Sequence, residues 1–143
     1  QYLVSAAILR MNYIDSKPVG ITTRVGIVVF TIGILYEAVA DSQLAGFKRD
    51  PKNKGKILQS GLWKSSRHPN YFGESLVWFG LSAMSLGYPW GWLALISPAV
   101  ITYLLLFVSG IPIQEKGKNQ NPAWREYASK TPRFVPFIGS KKY

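Results

Sequence analysis

The densest group of reactive side chains in the sequence is Ser66-Arg67-His68-Pro69-Asn70-Tyr71-Phe72-Gly73-Glu74. Proline is tolerated in the first turn of a helix, where its missing N–H would have no partner anyway, so the string predicts a helix starting at Pro69. Asn70 and Glu74 then share one face a turn apart, with Tyr71 beside them. Arg67 and His68 stand just ahead of the helix N-terminus. There, unpaired backbone N–H groups and the positive end of the helix dipole favour an anion, most naturally a phosphate. Arg67 would add a bidentate charge partner. Glu74 falls inside a membrane boundary on this reading, where an ionised carboxylate is costly without a partner. The same spacing serves equally well for a helix cap with an interfacial arginine that anchors to lipid phosphates.

A second pair, Glu37 and Asp41, lies four residues apart and so on one helix face, with Lys48 seven residues further on. Two carboxylates near a helix C-terminus oppose the dipole and call for compensation. Hydroxyls or amines of a ligand would supply it, and so would an internal salt bridge to Arg67 or a loop lysine. A third stretch, Gly110-Ile-Pro-Ile-Gln-Glu115, reads as a helix terminated by Pro112 that delivers Glu115 to a basic surface. Trp124-Arg-Glu-Tyr127 follows as a surface segment packed on its aromatic rings. The chain has no cysteine and one histidine, His68. That excludes disulfides, cysteine–metal clusters and the usual multi-histidine sites, and no metal site is expected.

The elements that must position these residues are apolar. The 143 residues suffice for one domain, and they combine 48% hydrophobic content with a net charge of +10. The charges are segregated: seven basic residues fall between Lys48 and Arg67 and seven between Lys116 and Lys142, with no lysine or arginine from Tyr71 to Glu115. A soluble domain normally carries charge on every helical turn, so the pattern predicts a polytopic, all-α transmembrane bundle. Ile21–Ala40 gives 20 residues, matching a hydrocarbon core of about 30 Å at about 1.5 Å per residue. This helix continues toward Phe47.

Pro69 to about Leu86 gives a second span, Gly87-Tyr-Pro-Trp-Gly a tight aromatic turn, and Trp92–Val108 a third span interrupted by Pro98. Tyr2–Ile14 reads as a partial N-terminal helix, followed by a turn at Asp15–Gly20. The expectation is therefore about three full spans plus that partial helix, in a single membrane domain covering residues 1–143. The hairpin returns the chain to its starting side, so the basic loop 48–68 and the polar tail 114–143 share one membrane face. Tyr88, Trp90 and Trp92 belong at the other. The lysines are expected to meet water or anionic headgroups, at about 1 kcal/mol each. Nucleic acid is an unsuitable partner, because the basic residues flank spans rather than line a groove. Membrane lipids are the expected partners. The pattern suits the endoplasmic reticulum, the mitochondrial inner membrane and a bacterial inner membrane alike. No signal-peptide pattern is visible at Gln1, and the chain is expected to start partway through a longer product or after a removed segment.

The order Glu37…Asp41-Ser-Gln43…Phe47-Lys48, Gly61-Leu-Trp63-Lys64, Ser66 to Glu74, Gly110-Ile-Pro112…Glu115 and Tyr127…Thr131 resembles the C-terminal half of the steroid 5-alpha-reductase-like membrane family. Sterol reductases and isoprenylcysteine carboxyl methyltransferases are more distant kin. The resemblance covers roughly Tyr36 to Pro136 and is most specific at Arg67–Glu74. It implies that the C-terminal helices and loops hold a nucleotide cofactor at the cytosolic face. That cofactor is NADPH in the reductases, which reduce a carbon–carbon double bond of a lipid or steroid, and S-adenosylmethionine in the methyltransferases. Carried over by position, Asp41, Lys48, Trp63, Arg67, His68, Asn70, Tyr71 and Glu74 are implied cofactor contacts, with Glu115 a looser one. Tyr71 is a candidate proton donor, although the sequence places no substrate beside it. The family's substrate-orienting residues lie in earlier helices that are largely absent here. A non-catalytic accessory subunit of a larger membrane complex, retaining the fold and holding a nucleotide or a phospholipid, is therefore the alternative reading. A methyltransferase is the third.

Overall fold

The structure is a computed structural model, and it describes residues 20–138. The partial helix and turn expected before Gly20 lie outside the described residues. All regular structure among the described residues is helical.

Helix α1 spans Ile21–Arg49. Lys48 and Arg49 occupy its last turn, where cations complement the negative dipole end. It stops at Asp50-Pro51. The Asp50 carboxylate accepts from Lys52 N at 2.9 Å to cap a short 3-10 turn, and Asn53 Nδ2 donates to the Phe47 carbonyl at 3.0 Å. One carbonyl left free at the helix end is thereby satisfied. Beyond the lysine-rich loop, Gly61 adopts a left-handed φ of 60°, and a Cβ there would sit 2.5 Å from Gln43 Oε1. That oxygen accepts from Leu62 N at 3.0 Å, and Trp63 Nε1 donates to the Ala40 carbonyl at 3.0 Å. The loop is thus stitched to α1 at two levels.

Helix α2 spans Pro69–Ser85 and begins at the expected proline. It packs on α1 through small residues. The buried residues of α1 are Gly26, Gly33 and Ala40, spaced by seven, and two of their counterparts on α2, Gly73 and Gly80, keep the same spacing. A Cβ on Gly80 would lie 2.4 Å from Phe30 N, and one on Gly33 2.6 Å from Val77 N. The two backbones are in direct contact, as membrane helix pairs achieve when small residues line the seam.

After α2 the chain turns through Trp90, whose φ is 64°, and passes a 3-10 stretch at Gly91–Leu95 into α3, Ile96–Tyr103. Ser82 Oγ donates to the Ala94 carbonyl at 2.8 Å and Thr102 Oγ1 to Ser75 Oγ at 3.3 Å, joining this arm to α2. The interruption expected at Pro98 takes the form of a change of helix type, 3-10 over Gly91–Leu95 and α from Ile96, and a second irregularity follows at a π-helical turn, Leu104–Val108, closed by Ser109 N to the Leu104 carbonyl at 2.8 Å. Pro112 does not terminate a helix. The chain bends at Ser109-Gly110, and Pro112 lies in the first turn of the short α4, Ile111–Glu115.

Helix α5, Pro122–Lys130, is capped by Asn121 Oδ1, which accepts from Ala123 N at 2.9 Å. It buries Trp124, Tyr127 and Ala128 against Ile57 of the basic loop. Two stretches, Ile21–Arg49 and Gly91–Glu115, are long and apolar enough to cross a membrane. Trp90 and Trp92 are exposed at the end of the bundle remote from the basic loop.

Candidate functional site

A cavity of about 920 Å³ opens between the end of α1, the basic loop, the start of α2 and the α4–α5 segment. Its wall combines Lys48, Lys54 and Lys56 from the first basic segment with Lys116 and Lys118 from the second. Of the sequence-predicted residues, Lys48, Trp63, Arg67, His68, Asn70 and Tyr71 line it. Asp41 and Glu74 do not; they lie on α1 and α2 outside the lining, with Gly73 seated against Glu37. Glu115 lies behind the wall rather than in it.

Glu115 is the hinge of the local electrostatics. Its Oε1 is 3.2 Å from Arg67 Nη1 and accepts from His68 Nε2 at 2.9 Å, while its Oε2 is 3.6 Å from Arg133 Nε. One carboxylate at the end of α4 thus joins the residues before α2 to the C-terminal tail. Arg67 is only 1% exposed and Ser66 is fully buried, so the anion-favouring N-terminus of α2 is partly occupied by protein groups. Burial pushes the His68 imidazole below its ordinary range; the hydrogen bond and charge of Glu115 oppose the shift, and Lys118 and Arg67 add to it. His68 is therefore a neutral ring near pH 7 that donates Nε2–H to Glu115. It stacks on Tyr71, with centroids 5.6 Å apart and planes 7° from parallel.

On the opposite wall, Lys118 Nζ sits 4.6 Å above the Trp124 ring, a cation–π contact. Burial lowers the affinity of Lys118 for its proton; Glu115 works against this and Lys48 reinforces it. Tyr127 holds the floor together. Its hydroxyl donates to the Trp63 carbonyl and approaches the Ser66 carbonyl at 3.3 Å, and burial raises its pKa so that it stays a phenol. Two buried polar atoms of wall residues, Asn70 Oδ1 and Trp124 Nε1, have no hydrogen-bond partner among the described residues.

Lys118, Asn121 and Trp124 escape sequence reasoning as wall residues. A partial signal exists in the Pro122 start, the Asn121 cap and the Trp124/Tyr127 pair at i, i+3, which together specify a short helix with one aromatic face. What that face covers depends on the chain folding back.

A family described as "Protein of unknown function (DUF1295)" matches residues 1–131. Among curated relatives, a steroid 5-alpha-reductase of Gossypium hirsutum is 36% identical over 67 residues, covering 47% of this chain and 24% of the relative. A delta(14)-sterol reductase of Arabidopsis thaliana is 29% identical over 131 residues, 80% of this chain and 33% of the relative. A probable O-methyltransferase of Ustilaginoidea virens is 36% identical over 66 residues, 46% of this chain and 23% of the relative. The chain thus spans a quarter to a third of the length of these relatives. No solved structure matches. With a family match over nearly its whole length, apolar helices and steroid and sterol reductases among its relatives, this chain belongs to the DUF1295 family, reductase-like membrane proteins of the steroid 5-alpha-reductase kind.

Proposed function

We propose that this chain is the cofactor-holding part of a membrane reductase, taking NADPH into the cavity at the end of α1 and α2. The observation that carries the reading is the cavity wall: two basic segments some 70 residues apart in sequence converge on one space, together with unpartnered polar atoms and flat aromatic rings. A volume of about 920 Å³ falls in the range of ligand sites, about 300–1,000 Å³. The donor set fits a dinucleotide. Lys48, Lys54, Lys56, Lys116 and Lys118 suit phosphates, Tyr71 offers the ring face that His68 does not cover, and Asn70 offers a buried acceptor. Bound there, NADPH would supply hydride for a carbon–carbon double bond of a lipid.

The chain's own residues bind and orient. Glu115 holds Arg67 and His68 in the wall, so phosphate contact passes mainly to the lysines, with Arg67 setting the local potential. Tyr71 is the candidate proton donor. Asp41 and Glu74, outside the wall, would act only at its margin. In this reading α2 is a third span between α1 and α3, and both basic segments face the side from which NADPH is drawn.

Titration of the detergent-solubilised chain with NADPH tests this. Saturable binding is expected, weakened about tenfold, or about 1.4 kcal/mol, by Lys118→Ala. Lys118 is a cleaner probe than Arg67, whose removal would also strand a buried carboxylate. A second reading rests on the likeness to the probable O-methyltransferase. S-adenosylmethionine binding in place of NADPH would select it. Binding of neither would leave the accessory-subunit reading.

A further inference from the structure

The segment after α5 carries an interaction surface independent of the cavity's ligand. Thr131–Ile138 runs back along the start of α2. Arg67 N donates to the Pro132 carbonyl at 2.9 Å, Ser66 Oγ to the Phe134 carbonyl at 2.7 Å and Phe137 N to the Ser65 carbonyl at 3.0 Å. The Phe134 ring meets Phe72 edge-on at 5.8 Å, and Phe72 meets Tyr36 of α1 at 5.7 Å. Depth along α1 can be read from these contacts. The apolar run of α1 ends at Ala40, where Trp63 is bonded, and Tyr36 lies one turn further toward the membrane centre. The tail, bonded to Ser65 and Ser66 just beyond Trp63, therefore lies at the end of that apolar run.

Next to it the tail turns its apolar side chains outward. Phe137 is 84% exposed and Ile138 68%. Phe137 is held in a left-handed backbone conformation, φ 62°, that is strained for a bulky residue. Its backbone is pinned by the Ser65 bond, and Ile138 N donates to the Val135 carbonyl at 3.2 Å. Exposed Val39 of α1 lies beside Ala40, at this same end of the apolar run, and exposed Leu35 one turn deeper. Arg133, tied to Glu115, lies on the polar side of the segment.

We infer that residues 134–138 form an interfacial wedge whose occupant is the lipid of the membrane that α1 crosses. Phe137 and Ile138 enter the headgroup–acyl boundary, as amphipathic segments do to a depth of about 5–10 Å. Arg133 stays at the headgroup level. The wedge sets the height of the tail, and through Arg133 and Glu115 the height of the wall beside Arg67.

The natural absence of cysteine makes the test direct. Phe137→Cys and, separately, Ile138→Cys would carry an environment-sensitive fluorophore in the full chain, reconstituted in vesicles of phosphatidylcholine and phosphatidylglycerol. Leu35→Cys on α1 and Ser129→Cys on the exposed side of α5 give the lipid and water references. Labels at 137 and 138 are expected to lose most of their emission to a lipid-borne quencher placed just below the headgroups, as at 35. They should resist aqueous iodide, unlike 129. Iodide quenching at both positions equal to that at 129, with no response to the lipid quencher, would overturn the inference. Two labelled positions guard against one substitution disturbing the fold.

Discussion

The α1–α2 pair and the cap formed by residues 63–70 with the α4–tail segment are both well packed, but by opposite means. The helix pair is held by absence: glycines at 26, 33, 73 and 80 let backbone touch backbone, and Glu37 enters the seam only at its end nearest the cap, against Gly73. The cap is held by polar groups that had to be desolvated. Arg67, His68, Ser66 and Tyr127 are buried on carboxylate or carbonyl partners. The first arrangement tolerates no added atom, and the second no lost one. The contrast tracks the solvent. Inside lipid, apolar burial brings helices no closer, so fit must do it. At the boundary, the cavity wall carries polar groups, and each must be satisfied to stay buried.

The sharpest way to break this contrast is at Glu115. Glu115→Ala leaves Arg67 buried without the carboxylate, and loss of one member of a buried pair costs about 3–5 kcal/mol. The thermal midpoint in detergent should fall steeply. The cap should also open, seen as faster proteolysis within 114–138 while α1 and α2 remain protected. Equal loss of protection in both regions would show that they are not separate units.

Adding an atom to the seam comes next. Gly80→Val drives a branched side chain toward Phe30 N, which a Cβ alone would approach to 2.4 Å. Overpacking costs about 1–3 kcal/mol, and more when backbone must move. Gly46→Val on the same α1 is the control, because a Cβ there meets nothing within 4 Å. A similar loss of thermal midpoint from both variants would refute the seam as the cause. Removing one hydroxyl from the cap is milder: Tyr127→Phe forfeits the bond to the Trp63 carbonyl, worth about 1 kcal/mol.

How much of this the sequence discloses depends on the range of the interaction. The start of α2 at Pro69, the long apolar α1 and the aromatic turn are local consequences of proline, glycine and hydropathy, and they read directly. The seven-residue spacing of Gly26, Gly33 and Ala40 was equally visible, but a search for apolar runs passes over small residues. Pro112 misleads for a definite reason. A proline breaks a helix only when it lies inside one, and Pro112 lies in the first turn after the bend at Gly110. Lys48, Trp63 and Arg67 to Tyr71 are legible as a polar cluster from one contiguous stretch. Lys118 and Trp124 join them only because the chain returns, and the pairing of Glu115 with Arg67 depends on that same closure.

Protonation probes the cap without changing its shape. Burial lowers the folded pKa of His68 from an ordinary 6.5. The unfolded imidazole therefore takes a proton at a pH where the folded one resists it, and protons favour the unfolded chain. The stabilisation is complete above about pH 6.5 and is lost as pH falls through the folded value. Thermal midpoints measured from about pH 7 down to 5 should decline, and His68→Gln should flatten the decline. A wild-type midpoint that holds constant or rises over that range would contradict the burial of a neutral ring.

The smallest effect is expected from the shortest of the side-chain ion pairs described. Lys130 Nζ lies 2.6 Å from Glu126 Oε1, closer than Arg67 is to Glu115, yet the two side chains are 69% and 70% exposed. Water and salt screen this pair, and both groups lose side-chain freedom to hold one geometry, so proximity gives it little net strength. Lys130→Ala should leave the thermal midpoint unchanged within error, at low salt and high. Glu115→Ala, which breaks a longer contact, should lower it by many degrees. If the exposed pair proved as costly to remove as the buried one, separation rather than solvent exclusion would govern the cap.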